Sequence, residues 1–248
     1  MENNIQLDYK LKTKIKNFGY GYLAGMMGII ASHPIDTLKT QYQQTNKMVF
    51  KNLYKGLIPP LLGVGLEKAV VFGVYESTIK YTNSDIISGG LSGLSASLVV
   101  TPFERIKILL QTGQNISNIR NINIFQGLSA TLTRETPGFA IYFSVYNKLK
   151  NQYYQDKIDT YIHPMRSFFY GALSGTASWI FIYPQDRIKT HMQAAYEKKI
   201  GFIEAFKHIQ KTQGITSFYR GFHLALLRAI PLHATAFTTV ELCKRHFN

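Results

Sequence analysis

The sequence predicts an all-helical membrane protein with six transmembrane helices, arranged as three tandem two-helix repeats around a pseudo-threefold axis. Three stretches, residues 17–35, 86–103 and 167–185, contain no Asp, Glu, Lys or Arg, although the mean hydropathy of the whole chain is near zero. Each is close to the roughly 20 residues that a helix needs to cross the hydrocarbon of a bilayer. One residue pattern also recurs three times, in register with these stretches.

The recurring pattern is centred on three prolines, Pro34, Pro102 and Pro184. The acids two residues after them are Asp36, Glu104 and Asp186, and the lysines five residues after them are Lys39, Lys107 and Lys189. The glutamines nine residues after them are Gln43, Gln111 and Gln193. The glycines nine and thirteen residues before them are Gly25 and Gly21, Gly93 and Gly89, and Gly175 and Gly171. Such a match without gaps indicates a repeated structural unit.

A second motif follows each proline. Its copies are Tyr54-Lys55-Gly56, Phe125-Gln126-Gly127 and Tyr219-Arg220-Gly221. Further apolar stretches come after them, at residues 57–79, 128–147 and 222–240. We therefore predict two helices per repeat, with the repeats covering residues 1–80, 81–160 and 161–248. The spacing between the two motifs leaves room for a surface helix only in the third repeat, around residues 202–213.

The charge balance narrows the classes of function. With 28 Lys plus Arg against 14 Asp plus Glu, the net charge is +14. This charge suits either nucleic-acid binding, which neutralises phosphates, or a membrane protein that faces anionic lipids and solutes. The uncharged stretches favour the membrane protein, and the chain shows neither zinc-finger spacing nor an RNA-binding aromatic motif.

The sequence gives no sign of enzymatic chemistry. The single cysteine, Cys243, excludes an intramolecular disulfide, and the histidines show no metal-ligand spacing. We find no arrangement of nucleophile, base and acid. The expectation is therefore a protein that is not an enzyme and that holds no metal or cofactor.

Charges cluster just after each proline, where a membrane helix loses a backbone hydrogen bond and kinks. The acid and the lysine are three residues apart, so they lie near one face of a helix. Two arrangements are open: local ion pairs within each helix, or pairs between neighbouring helices. We favour the second, because charges at membrane depth face an interior cavity and pair there. Such a ring would close one end of the cavity, and each glutamine, one turn on, would brace a pair.

The segments Pro34-Ile-Asp36-Thr-Leu-Lys39, Pro102-Phe-Glu104-Arg-Ile-Lys107 and Pro184-Gln-Asp186-Arg-Ile-Lys189 resemble the signature of the mitochondrial carrier family. The resemblance covers essentially the whole chain. It implies a multi-pass protein of the mitochondrial inner membrane (that of a host cell if a large DNA virus encodes the chain) which exchanges solutes by alternating access, and we expect a monomer. It also implies a matrix-side network that pairs Asp36 with Lys107, Glu104 with Lys189 and Asp186 with Lys39.

The cytoplasmic network of the family is incomplete in this sequence. The family pattern places an acid and, three residues later, a base near the end of the second helix of each repeat. We call these three helices, the second, fourth and sixth predicted spans, the even-numbered helices. Ile79 stands where the first base belongs, and Asn147 stands where the second acid belongs. The predicted cytoplasmic gate residues are Glu76 and Lys150, which remain as a full pair, and Glu241 and Lys244 on the last helix.

Three glycines are predicted to mark lipid sites. Gly56, Gly127 and Gly221 open the even-numbered helices, and helix N-termini bind phosphate groups through free backbone N–H groups. The basic residues Lys55 and Arg220 would add to this attraction. We therefore expect bound cardiolipin at the three glycines, most weakly at Gly127, which follows an uncharged Gln.

Four ionisable residues in the middle of the even-numbered helices are candidates for substrate binding: Glu67, Arg134, Glu135 and Arg228. Two carboxylates and two guanidiniums suit a zwitterionic substrate, because Arg clamps a carboxylate and Glu holds an ammonium. Glu67 would be free to take a second cation, such as a side-chain amine. An ion pair of Arg134 with Glu135 alone is the competing structural interpretation.

The surroundings of these residues are similar to one branch of the family. Arg134-Glu135-Thr-Pro137-Gly resembles the amino-acid and carnitine carriers, and the segments around Glu67 and Arg228 resemble the ornithine and basic amino-acid carriers. The branch implies ornithine, lysine or arginine as substrate. Lys68 and His233 depart from it and add positive charge, so a nucleotide or deoxynucleotide carrier remains the alternative. A nucleic-acid-binding protein and a carrier-like scaffold without transport are the other hypotheses.

Overall fold

The computed structural model describes residues 2–114, 122–156, 164–195 and 200–247. Within these residues the chain forms seven α-helices, a short 3-10 helix and no strand, which confirms the all-helical prediction. The helices are α1 (Glu2–Thr45), α2 (Ile58–Thr82), α3 (Asp85–Gln111), α4 (Leu128–Asp156), α5 (Pro164–Ala194), α6 (Phe202–Gln213) and α7 (Phe222–Phe247). The 3-10 helix covers Ile215–Tyr219.

Six of these helices are long and correspond to the six predicted spans. The seventh, α6, has 12 residues and lies where the sequence leaves room for a surface helix. It packs Ala205 and Ile209 against a small core that includes Ile188 and Met192 of α5. The opposite side of α6 leaves Ile203 exposed. In the first repeat, residues 46–57 between α1 and α2 form no helix, as expected from the shorter spacing.

Hydropathy alone identifies fewer spans than the repeats do. Among the described helices, α2 and α3 are long and apolar enough to cross a bilayer on composition. The spans α4 and α7 contain ionisable residues near the middle, such as Arg134 and Arg228. Because such side chains face protein partners or a cavity, they lower the hydropathy of a span without removing it from the membrane.

The helices surround a central axis. Extensive contacts join α1 to α7, α2 to α3, α3 to α4, and α4 to α5, and sparser contacts join α1 to α2. The first helices of the three repeats, α1, α3 and α5, also touch one another. Each of them contains one of the repeated prolines. The proline-centred segments therefore meet at the axis, as the pseudo-threefold arrangement requires.

The repeated glycines pack differently in different repeats. A Cβ at Gly89 would lie 2.7 Å from the carbonyl oxygen of Phe139, and one at Gly93 would collide with the backbone of Glu135, so α3 and α4 touch through these glycines. A Cβ at Gly175 would meet nothing within 4 Å. Close glycine packing therefore occurs at Gly89 and Gly93 of the second repeat and not at Gly175. In α1 the close approach is made instead by Gly28, whose Cβ would lie 2.7 Å from the carbonyl oxygen of Leu232.

Candidate substrate site and gates

Three acids and three lysines form a ring where α1, α3 and α5 meet. The pairs are Lys107 with Asp36, Lys39 with Asp186 at 2.5 Å, and Lys189 with Glu104 at 2.5 Å. Each pair joins two different helices, and these are the three pairs that the resemblance implied. None of these six described residues forms an ion pair with the partner three residues away on its own helix. We call these six residues the ion-pair ring.

Arg134 reaches from α4 into the ion-pair ring. Its Nη2 lies 2.9 Å from Glu104 Oε1, and its Nη1 lies 3.2 Å from Asp186 Oδ1. It also forms an ion pair with Glu135, the next residue on α4. With 9% of its surface exposed, Arg134 is held among three carboxylates. Arg134 therefore connects Glu135, a candidate for substrate binding, to two acids of the ring.

Arg228 of α7 makes a looser contact with the ring. Its Nε lies 3.5 Å from Asp36 Oδ1, and its guanidinium lies 5.9 Å from the centre of the Trp179 ring. Its side chain is 23% exposed, against 11% for that of Arg134. Arg228 therefore retains N–H groups that could bind the carboxylate of a ligand.

The three glutamines lie beside the ring, but they do not act alike. Gln43 Nε2 donates to the Tyr183 hydroxyl at 3.1 Å and lies 3.5 Å from Asp186 Oδ2. Gln111 donates to the Thr37 hydroxyl at 3.1 Å, and Gln193 lies 3.5 Å from the Thr131 hydroxyl. Only Gln43 contacts a member of an ion pair. In the other two repeats, a threonine hydroxyl takes the amide hydrogen instead.

Each glutamine also packs against the glycine of another repeat. A Cβ at Gly127 would lie 2.7 Å from Gln193, one at Gly56 would lie 3.4 Å from Gln111, and one at Gly221 would lie 3.7 Å from Gln43. These three glycines have φ values of +89°, +80° and +81°, which L side chains rarely adopt. The second sequence motif thus requires glycine for two reasons: the backbone has a positive φ, and a neighbouring glutamine leaves little room for a side chain.

Glu67 lies near the ring but outside it. Lys68, the next residue on α2, places its Nζ 2.9 Å from Glu67 Oε1. Glu67 is also close enough to Arg134 and Glu135 to interact with both electrostatically. Lys68 also interacts electrostatically with Glu135. His233 of α7 is exposed and interacts electrostatically with Arg228.

The other end of the bundle is joined by a different kind of contact. Tyr75 of α2 donates to Asp85 of α3 at 2.5 Å, and Asn147 of α4 donates to the same Asp85 oxygen at 2.7 Å. Asn147 Nδ2 also lies 2.6 Å from the Tyr75 hydroxyl. The Tyr75 ring stacks on Phe143, with ring centres 3.9 Å apart. We call Tyr75, Asp85 and Asn147 the polar clamp, because they connect α2, α3 and α4.

The predicted cytoplasmic gate lies at this other end. Glu76 is exposed on α2, and Lys150 lies on α4. Glu241 and Lys244 lie on α7, at positions outside the described side chains. The ion-pair ring indicates a molecule that is closed at the prolines.

Comparison with known proteins identifies the family. The family model described as mitochondrial carrier protein matches residues 80–125 and 161–248. The mitochondrial carnitine carrier of Saccharomyces cerevisiae is 31% identical, over 94% of this chain and 88% of its own. The chain belongs to the mitochondrial carrier family. The mitochondrial arginine transporter BAC2 of Arabidopsis thaliana is 28% identical, over 93% of this chain and 90% of its own. The mitochondrial basic amino acids transporter of Rattus norvegicus is 29% identical, over 91% of this chain and 88% of its own.

Membership settles the class of function. These relatives are named as carriers or transporters, and none of the three as an enzyme. The protein is therefore a carrier-family transporter of small molecules, built from six transmembrane helices. The nucleic-acid-binding hypothesis has no support from these comparisons.

Several residues of this carrier were missed by the sequence analysis. Asp85 was not singled out, although an acid in the first turn of a predicted helix is a visible signal. Arg105 caps α5 by donating to the carbonyl oxygens of Gln193 and Ala195, the latter at 2.7 Å. Arg187 is fully buried and donates to Gln213 of α6 at 2.9 Å. Both arginines lie three residues after a repeated proline, so their spacing was a usable signal.

Proposed function

We propose that this carrier exchanges basic amino acids, of the ornithine, lysine or arginine type, across the mitochondrial inner membrane by alternating access. The ion-pair ring is the matrix gate, and the predicted charges of the opposite end are the cytoplasmic gate. A closed ring corresponds to a site that is reached from the cytoplasmic side. The three repeats, residues 1–80, 81–160 and 161–248, tilt about this site when the gates exchange.

The observation that supports this function best is the presence of two carboxylates beside the closed ring. Glu135 contacts Arg134, and Glu67 lies within electrostatic reach of both. A basic amino acid carries two cationic groups and one carboxylate. Glu67 and Glu135 suit the two cations, and Arg228, which has only one contact of 3.5 Å to an acid, suits the carboxylate.

Substrate binding would act on the gate through Arg134. This side chain holds Glu104 and Asp186 of the ring as well as Glu135. An ammonium that binds Glu135 competes with one of the three contacts of Arg134 and so weakens its hold on the ring. A ligand can shift a conformational equilibrium only through such differential contacts. The names of the arginine and basic amino acids transporters agree with this substrate class.

A nucleotide or deoxynucleotide is the second candidate substrate. Lys68 is half-exposed beside Glu67, and the chain carries a net charge of +14, which would attract an anion. Glu67→Gln separates the two functions. This change should abolish uptake of a basic amino acid, because a side-chain cation loses its carboxylate, and it should spare or improve uptake of an anion.

The test uses purified carrier in vesicles loaded with lysine or ornithine, compared with vesicles loaded with ATP or dATP. We expect labelled lysine to enter only the first set, and Glu67→Gln to remove that uptake. Glu204→Gln, which neutralises an exposed acid on α6, is the matched control and should behave as the unchanged carrier. Exchange in the nucleotide-loaded vesicles alone would contradict the amino-acid assignment.

We also propose that the carrier is a monomer that binds cardiolipin at the N-termini of α2, α4 and α7. Gly127 and Gly221 directly precede α4 and α7, and α2 begins without a side-chain cap. Free N–H groups at such ends attract phosphate. The thermal unfolding temperature should rise when cardiolipin replaces phosphatidylcholine. Equal unfolding temperatures in the two lipids would speak against these sites.

A further inference from the structure

Lys68 is bound in the way that an alkylammonium ligand would be. Its Nζ lies 2.9 Å from Glu67 Oε1 and 5.7 Å from the centre of the Phe139 ring on α4. It also interacts electrostatically with Glu135 and with the Tyr142 hydroxyl. A carboxylate at hydrogen-bonding distance together with aromatic side chains is an environment that recognises organic ammonium ions.

We infer that Lys68 is a tethered counter-ion that occupies the side-chain subsite of the substrate until a cationic substrate displaces it. The inference rests on the proposed function, and it deepens it by naming the residue that sets selectivity for side-chain charge. In the empty carrier, Lys68 neutralises Glu67. When lysine or ornithine binds, its side-chain ammonium takes the place of Lys68 at Glu67, and the Lys68 ammonium turns into the open cavity.

The exposures of the two side chains make this exchange feasible. The Lys68 side chain is 51% exposed, so its ammonium can leave Glu67 and remain hydrated. Ion pairs with an exposed partner contribute little to stability, which makes the internal pair easy to replace. The Glu67 side chain is 22% exposed and lies near the Glu135 carboxylate, so it is the member of the pair that needs a cation.

The same arrangement determines how well the carrier binds a substrate whose side chain is uncharged. With Lys68 in place, Glu67 keeps a partner even when the substrate brings no second cation. Without Lys68, an uncharged side chain would leave Glu67 unpaired beside Glu135, which is unfavourable for a partly buried charge. Lys68 therefore weakens binding of basic amino acids and permits binding of neutral ones. Removing its charge should sharpen the preference for basic amino acids.

The test compares uptake of lysine with uptake of norleucine, which is lysine without its side-chain ammonium. Half-saturation concentrations and maximal rates are measured in vesicles for Lys68→Met, Lys68→Gln and Lys68→Arg. For lysine, the two neutral variants should lower the half-saturation concentration about two- to fivefold, the range that a partly exposed ion pair supports, with little change in maximal rate. For norleucine, uptake should fall about tenfold, because Glu67 is left unpaired.

Lys68→Arg should keep the selectivity of the unchanged carrier, because the positive charge is retained. Lys148→Gln, which removes an exposed charge of α4, is the matched control and should change neither substrate. Unchanged selectivity in both neutral variants, or weaker lysine uptake in both, would overturn the role of Lys68. If the unchanged carrier moves no basic amino acid, the proposed function fails separately. The role of Lys68 then requires that Lys68→Met gains thermal stabilisation by lysine, and absence of that gain overturns it too.

Discussion

The two ends of the helix bundle are held by different interactions. At the prolines, three pairs of opposite charge join α1, α3 and α5, and Arg134 and Arg228 add contacts from α4 and α7. At the other end, the polar clamp joins α2, α3 and α4 by hydrogen bonds around Asp85. Glu76, which is predicted for a gate there, is exposed.

This difference indicates which contacts break during transport. Ion pairs at membrane depth are exchangeable, because a charged group can pair with another protein group, with a substrate or with water in a cavity. In the polar clamp, one carboxylate oxygen of Asp85 receives hydrogen bonds from both the Tyr75 hydroxyl and the Asn147 amide, and no charge of opposite sign takes part. We therefore expect the ion-pair ring to open and close during transport while the clamp keeps α2, α3 and α4 together.

Reversing one pair of the ring should have the largest effect. Asp36→Lys alone and Lys107→Asp alone each leave a buried charge facing a like charge, so transport should fall below detection. The free energy of unfolding should fall by about 3–5 kcal/mol in each. The double variant restores opposite charges and should recover part of the transport. Recovery will be incomplete, because the new cation also faces Arg228, which contacts Asp36 in the unchanged carrier.

Vesicle uptake measured for the two single variants and the double variant decides this point. The coupling appears as higher uptake in the double variant than in either single variant. A double variant no better than the worse single variant would mean that Asp36 and Lys107 do not form the functional pair.

A change in the polar clamp should have a smaller effect. Asn147→Asp replaces an amide donor by a second carboxylate beside Asp85, and we expect a loss of about 1–3 kcal/mol in the free energy of unfolding. Asn147→Ala, which loses the donor without adding a charge, should cost less. The measurement is denaturant or thermal unfolding of the purified carrier. An Asn147→Asp variant as stable as the unchanged carrier would show that the clamp does not hold this end.

The clamp also explains why the sequence departs from the family pattern at this position. The pattern places an acid where this chain has Asn147. The amide of Asn147 donates to Asp85 at 2.7 Å, and an acid there would face the Asp85 carboxylate instead. By its position in the family pattern, Asn147 corresponds to a gate residue that has lost its charge. The structure gives it a partner on α3.

Much of the fold follows from spacing in the sequence. Residues at fixed offsets from Pro34, Pro102 and Pro184 must occupy equivalent places in three equivalent helices, so the ring could be anticipated from the repeat. The surface helix α6 followed from the same spacing. In these places the same residue pattern occurs in each repeat, so equivalent residues adopt equivalent positions.

The parts that differ between repeats could not be anticipated. Gln111 and Gln193 bind threonine hydroxyls, whereas Gln43 reaches Asp186, because the neighbouring side chains differ between repeats. Arg134 and Glu135 were equivalent candidates for substrate binding, but Arg134 is held by ring acids. Such choices depend on distances across the bundle, and adjacency in the sequence carries no information about them.

Neutralising one acid at each end of the bundle tests most directly whether ion pairs at the prolines close the carrier. Asp36→Asn and Glu76→Gln each remove one negative charge, and thermal unfolding of both variants is measured in the same lipid. Asp36→Asn should lower the unfolding temperature by about 6 °C or more, because Lys107 and Arg228 lose their shared partner. Glu76→Gln should change it by less than about 2 °C, as expected for an exposed side chain. Equal shifts, or a larger shift for Glu76→Gln, would contradict a carrier that is closed by ion pairs at the prolines.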